Sequence, residues 1–197
     1  METSSNSRET ILRSIRANLP QAAVEHPGIP AFPPQPGALK TMFEQRLKEA
    51  GGAAHDAETV VDVESKMRFL HPEAKVICSA VPQIPGTRRL ESVGDPHDLA
   101  DVDIGVVRAQ FGVAESGAVW ITQEDLVIDA LGFLSQHLIV LLDRNEIVPD
   151  MHAAYRRVRL KETAFGCFMM GPSATADVEA TLVHGAQGAR SLNLFFV

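Results

Sequence analysis

A chain of 197 residues, 45% hydrophobic and 22% charged, is long enough to bury a sizeable core in one domain of ordinary size. Lys plus Arg number 18 against 25 Asp plus Glu, and the net charge of −7 argues against a general nucleic-acid or anionic-membrane surface. A local pocket for a small anion stays open, because it need not follow the global charge.

No apolar run approaches the ~20 residues of a membrane span. Met1 to Ser7 lacks the basic and then apolar pattern of a secretory signal, so a cytoplasmic protein is expected. Cys78 and Cys167 each sit in an apolar, strand-like run. Two separated thiols are too few for a four-Cys zinc or iron–sulfur site, and they read as buried, inert side chains. No iron–sulfur cluster or metal is expected on this chain.

Residues 7 to 19 place Ile11, Leu12, Ile15 and Leu19 at helical spacing, which predicts a short amphipathic arm suited to docking or dimerising. Six prolines between Pro20 and Gly37 forbid helix and central strand, leaving an extended linker. The compact domain is expected from residue 38 to 197, after an N-terminal segment 1–37. Within it, Leu39 to Ala50 reads as a helix stopped by Gly51-Gly52, with Met42, Phe43 and Leu47 on one side. Ala53 to His55 reads as a short strand, and Glu58 to Leu70 as a helix carrying Val63, Met67 and Leu70.

Lys75 to Ser79 is a short buried-strand run, and Asp95 caps a helical turn. Asp103 to Val107 and Phe111 to Ile121 follow, the latter broken by a polar turn between Gly112 and Gly117. His137 to Leu142 is the clearest buried strand, and Pro149 to Leu160 reads as a helix. Ala164 to Met170 and Leu192 to Val197 are apolar strands around a Gly171-Pro172 turn and a helix expected from near Ala174. This alternation predicts an α/β fold with a mostly parallel sheet flanked by helices. Ligands of such sheets lie beyond the carboxyl ends of the strands, which directs attention to the turns after Val113 and Met170.

Two strings point to a family. Ala114-Glu115-Ser116-Gly117-Ala118-Val119 resembles the central Ala-Glu-Thr/Ser-Gly-Thr motif of the LUD domain. Gly171-Pro-Ser-Ala-Thr-Ala-Asp-Val-Glu179 resembles that family's Gly-Pro-Ser-x-Thr-Ala-Asp-Ile-Glu. The resemblance spans roughly residues 38 to 197 and is strongest to the lactate-utilisation protein C, or YkgG-like, group. It implies a fold similar to the sugar-phosphate isomerase and CoA-transferase superfamily. It also implies a role beside two iron–sulfur partners in oxidising L-lactate to pyruvate. The sequence departs from the family at Ala174, where Arg is common, and at Gly185-Ala-Gln-Gly-Ala189, where Gly-Val-His-Gly-Pro is frequent. If those side chains hold a substrate, this chain binds a different ligand or binds it more weakly.

The turn around Glu115 can present a carboxylate as base or nucleophile, or the carboxylate can simply satisfy local backbone N–H groups; Ser116 divides in the same way. Gly171, Pro172, Ser173, Thr175 and Asp177 read as an anion cradle at the expected helix start, with Gly117 and the Glu115 turn across the cleft. His137, at a strand start, falls either beside the cleft or into a hydrogen-bonded structural place. None of the seven histidines pairs with another at metal-ligand spacing. ATP, NAD and nucleophile-elbow signatures are absent from the sequence. Two readings result: a subunit or accessory protein of lactate oxidation, or a small-molecule enzyme that binds an anionic metabolite and uses Glu115. A homo-oligomer is compatible with either.

Overall fold

The structure, a computed structural model, describes residues 4–20, 25, 27–28, 38–159, 162–177 and 180–197. The chain divides into two compact units, Met1–Pro33 and Pro34–Val197. In the first, α1 spans Ser4–Ala17, and Ile11, Ile15 and Leu19 are each more than half exposed. Most of the expected proline-rich linker lies outside the described residues.

The second unit opens with α2 (Leu39–Glu49), β1 (Ala53–Asp56), α3 (Val60–Leu70) and β2 (Ile77–Ser79). Then come β3 (Ile104–Arg108), β4 (Phe111–Val113), β5 (Ala118–Thr122), α4 (Gln123–Leu126), α5 (Leu131–Leu134) and β6 (His137–Leu142). It closes with β7 (Ile147–Val148), α6 (Met151–Arg157), β8 (Gly166–Met169), β9 (Ala174–Thr175), β10 (Val183–His184) and β11 (Ser191–Phe196).

Five of these strands form a wholly parallel sheet in the order β1-β11-β6-β3-β2. Its central strands are apolar on both faces because both faces are covered. Val140, Leu142, Leu194 and Phe196 pack on one side with Phe43 and Leu47 of α2. Ile139, Leu141 and Phe195 pack on the other with Val63 and Met67 of α3. The start of α3 is set by a capping box, in which Thr59 Oγ1 accepts from Asp62 N while Asp62 Oδ2 accepts from Thr59 N. An α/β fold with a parallel sheet between helices is therefore what the chain adopts.

A second sheet joins the first, in the order β7-β4-β5-β8, antiparallel except between β4 and β7. The polar turn inside Phe111 to Ile121 is thus a hairpin connection. Trp120 and Phe111 are buried at its base.

The helix expected from near Ala174 does not form. Its place is taken by the two-stranded antiparallel ribbon β9–β10, with Ala180 and Gly185 in left-handed backbone conformations. The physical reason is burial. Asp177, Thr181 and Leu182 are exposed, so the stretch gives little apolar surface to the core, and short helices are not held by propensity alone. Ser173 N donates to Ala189 O and Gly185 N to Ser173 O, which draws the two ends of the excursion together.

Candidate functional site

A cavity of about 230 Å³ lies where the turn after β8 meets the amino ends of β6 and β11. Met169, Met170, Leu138, Leu192 and Phe133 supply apolar walls, and Gly171, Pro172, Ser173 and Gln187 supply the rim. None of the described side chains lining it is ionisable. The Met170 turn thus borders a cavity. With respect to the parallel sheet, however, the pocket sits at the amino ends of the strands, opposite to the usual placement.

Gly171 has φ +65°, and a Cβ there would lie 2.3 Å from the carbonyl oxygen of Ala50, just past α2. Pro172 is buried against Gly51. The turn is therefore shaped by close approach to the end of α2, and glycine is required there for both φ and space. Thr175 and Asp177 stand outside this cavity on the ribbon, where Thr175 Oγ1 accepts from Asp177 N. Of the two departures from the family pattern, Gln187 lines the cavity and Ala174 is exposed on β9 opposite His184.

Glu115, Ser116 and Gly117 do not reach the cavity. Glu115 is exposed, and its Oε2 accepts a hydrogen bond of 2.9 Å from Met151 N, the first residue of α6. A carboxylate at that position satisfies a helix N–H that would otherwise lack a partner. Ser116 Oγ accepts from Ala118 N at 3.3 Å, closing the hairpin turn. Gly117 is pressed against the backbone of Arg46 and Leu47 in α2. In Glu115→Gln the amide oxygen can still accept from Met151 N, so urea denaturation should register a loss of no more than about 1 kcal/mol.

His137 borders a second cavity, of about 280 Å³, together with His71, Glu73 and Asp103. The rings of His71 and His137 stack with centroids 3.9 Å apart. His137 Nδ1 lies 2.8 Å from Ser191 Oγ, and His71 Nε2 lies 3.4 Å from Asn193 Nδ2. Asn193 Oδ1 lies 3.1 Å from His55 Nε2. Burial, and then the neighbouring His137, hold the His71 imidazole below its usual range. For His137 burial and then Arg190 act in the same direction, with Asp103 opposing them. Asp103 itself is held below the carboxylate range by backbone N–H bonds from Val76 and Lys75.

Sequence reasoning found no paired histidines, because His55, His71 and His137 meet only through the parallel sheet. One local signal was present. Asn193 is a polar residue inside the apolar run Ser191 to Phe196, and it is buried.

Cys78 lies on β2 and Cys167 on β8, in different sheets. Burial pushes both thiols up, Cys167 to about 11 with the Asp129 carboxylate adding to the effect. Both are therefore held as unreactive thiols. Among the described residues no three His, Cys, Asp or Glu side chains converge in a way that could hold a metal ion. No described helix is long and apolar enough to cross a membrane.

Parallel sheet, appended hairpin sheet and the two motif turns packed on α2 together define a domain type. The LUD domain profile matches residues 87–197, more than half of the chain, and the chain belongs to that family. Among curated proteins it is similar to lactate utilization protein C of Halalkalibacterium halodurans, 33% identical over 92 residues that make up 44% of this chain and 40% of that protein. Lactate utilization protein C of Bacillus pumilus is 36% identical over 89 residues, 42% of this chain and 37% of that protein. The matched region thus spans about two-fifths of the length of these relatives. The fold is shared with the crystal structure of a DUF162 family protein from Deinococcus radiodurans, with a TM-score of 0.62 at 16% identity. That match covers 81% of this chain and 96% of the other.

Proposed function

We propose that this protein serves in the oxidation of L-lactate to pyruvate as a subunit or accessory protein, with the redox chemistry carried by separate iron–sulfur partners. Its membership of the LUD family and its similarity to two proteins named lactate utilization protein C support the pathway. The observation that carries the division of labour is the lining of the Gly171 cavity, which among the described residues has no ionisable side chain to act as acid or base and no cation to fix a carboxylate. Glu115, the strongest sequence candidate for catalysis, is engaged as a hydrogen-bond acceptor at the start of α6. The exposed apolar side chains Ile11 and Ile15 of α1, with Leu19 just beyond it, suit a partner-binding arm.

Deleting the gene for this chain is expected to abolish growth on L-lactate while sparing growth on pyruvate. Both wild type and Glu115→Gln should restore it, and a tagged copy should co-purify with iron–sulfur proteins. Undiminished growth of the deletion strain on L-lactate would overturn the pathway assignment. Failure of Glu115→Gln alone to complement would overturn the non-catalytic role and favour an enzyme using that carboxylate.

A further inference from the structure

His71 and His137, at the amino end of the parallel sheet, and His55, further along β1, form a continuous path. His71 is the residue immediately after α3, and its N–H donates to Met67 O. Its ring lies on that of His137, the first residue of β6, which is tied through Nδ1 to Ser191, the first residue of β11. Asn193, only 7% exposed, bridges His71 to His55 on β1. The far end of the segment that follows His71 is fastened separately, because Asp103 Oδ2 accepts from Lys75 N at 2.7 Å and Val76 N at 2.8 Å. Residues 71–74 therefore form a short strap over the second cavity, held by carboxylate–amide bonds at one end and by an imidazole stack at the other.

These two fastenings respond differently to acid. Stacked neutral imidazoles attract through their ring faces, whereas two imidazolium rings 3.9 Å apart carry like charges at contact distance. Protonation also damages the bridge. Neutral His71 can accept from the Asn193 amide at Nε2, but the charged ring has N–H on both nitrogens and confronts an N–H donor. Asn193 could adapt by turning its amide, which sets its NH₂ against His55 instead.

The charged and titratable groups facing the pair are His55 beyond Asn193, Glu73 in the strap, Asp103 before β3 and Arg190 before β11. Asp103 favours a charge on His137 and Arg190 opposes it.

We propose that the His71–His137 stack is a proton-operated latch. With both rings neutral it closes the 71–74 strap over the amino ends of β6 and β11, and charging both rings releases the strap and opens the cavity beneath it. The direction of the effect on stability follows from linkage. Both imidazoles titrate in the fold below the ordinary value of 6.5, so the folded chain binds fewer protons than the unfolded one in that window. The latch stabilises the fold fully above pH 6.5, and that contribution is lost as pH falls through the folded values.

The test is amide hydrogen exchange of the intact chain at pH 7.5 and pH 5, corrected for intrinsic rates. Protection of the His71 and Ala74 amides should fall at least about tenfold on acidification while β6 stays protected, the pattern of a local opening. In His71→Phe, which keeps a stacked ring without a titrating nitrogen, the acid response should disappear. An acid response that persists in His71→Phe, or no response in the wild type, would sink the latch. Should His71→Phe not fold, the wild-type imidazole titrations followed by NMR decide instead. Two coupled steps below the ordinary range support the latch, and two independent titrations at the ordinary value refute it.

Discussion

Gly117→Ala should destabilise the α/β unit by about 3 kcal/mol or more, among the larger effects available from a single methyl group. Two independent causes act together. The backbone there has φ +71°, in the left-handed region, and a Cβ would stand 2.3 Å from Leu47 N and 2.7 Å from the Arg46 carbonyl carbon. The obstructing atoms are main chain in the last turn of α2, so no side-chain rotation can relieve the contact. Gly94→Ala is the matched control: a Cβ at Gly94 meets nothing within 4 Å, and its stability should stay within about 0.5 kcal/mol of wild type. Thermal and urea midpoints of the two variants measure the difference directly. The outcome bears on function as well, because the glycine of the central family motif is then explained by packing of the hairpin turn on α2. If Gly117→Ala were as stable as Gly94→Ala, that explanation would fail and a ligand-facing role for the turn would return.

Phe43→Ala should cost about 3–5 kcal/mol, the usual range for emptying a buried aromatic site. Phe43 is fully buried, meets Phe196 at the end of β11 edge-on at 5.9 Å, and lies against Gly112 of the hairpin sheet. A Cβ at Gly112 would come within 2.8 Å of the Phe43 ring, so the ring occupies space that the glycine leaves vacant. One side chain thus joins α2 to both sheets, and its loss leaves a void bounded by regular backbone that cannot collapse far. Phe69, on α3, provides the contrast. It is 85% exposed, and Phe69→Ala should change the urea midpoint by no more than about 0.5 kcal/mol of stability. Equal losses in the two variants would mean that the core does not centre on α2.

The parallel sheet was legible in the sequence because β6 and β11 are continuous apolar runs, a pattern set by burial on both faces. The helices α2 and α3 were legible for the complementary reason: each shows the sheet one stripe, Phe43 with Leu47 or Val63 with Met67. The hairpin sheet was less visible. Phe111 to Val113 and Ala118 to Thr122 are buried throughout, so they lack the alternation that marks a half-exposed antiparallel pair. Its turn also uses Glu115-Ser116-Gly117 in place of Asn-Gly.

The ribbon at Ala174 was misread because Ser173, Thr175 and Asp177 are the residue types that cap helices, and the same types serve turns equally well. Of the candidate site, the sequence marked Gly171 to Ser173 and His137. It could not show that they face different cavities, since that depends on pairing between strands far apart in the chain.

That pairing has a further thermodynamic meaning. Ser191 stands beside His137 and Leu192 beside Leu138 across the β6–β11 pair, and successive residues of a strand point to opposite faces. The first rung of this pair therefore holds the imidazole stack on one side of the sheet, and the second rung floors the Gly171 cavity on the other. Occupancy of one face and proton uptake on the other thus bear on adjacent rungs of one strand pair, and any coupling between them is reciprocal. A ligand seated against Leu138 and Leu192 whose affinity changes with protonation of the His71–His137 pair must shift that pair's titration by the same free energy, in the same sense. An imidazole titration could thus detect, from the far side of the sheet, a ligand whose identity is still unknown.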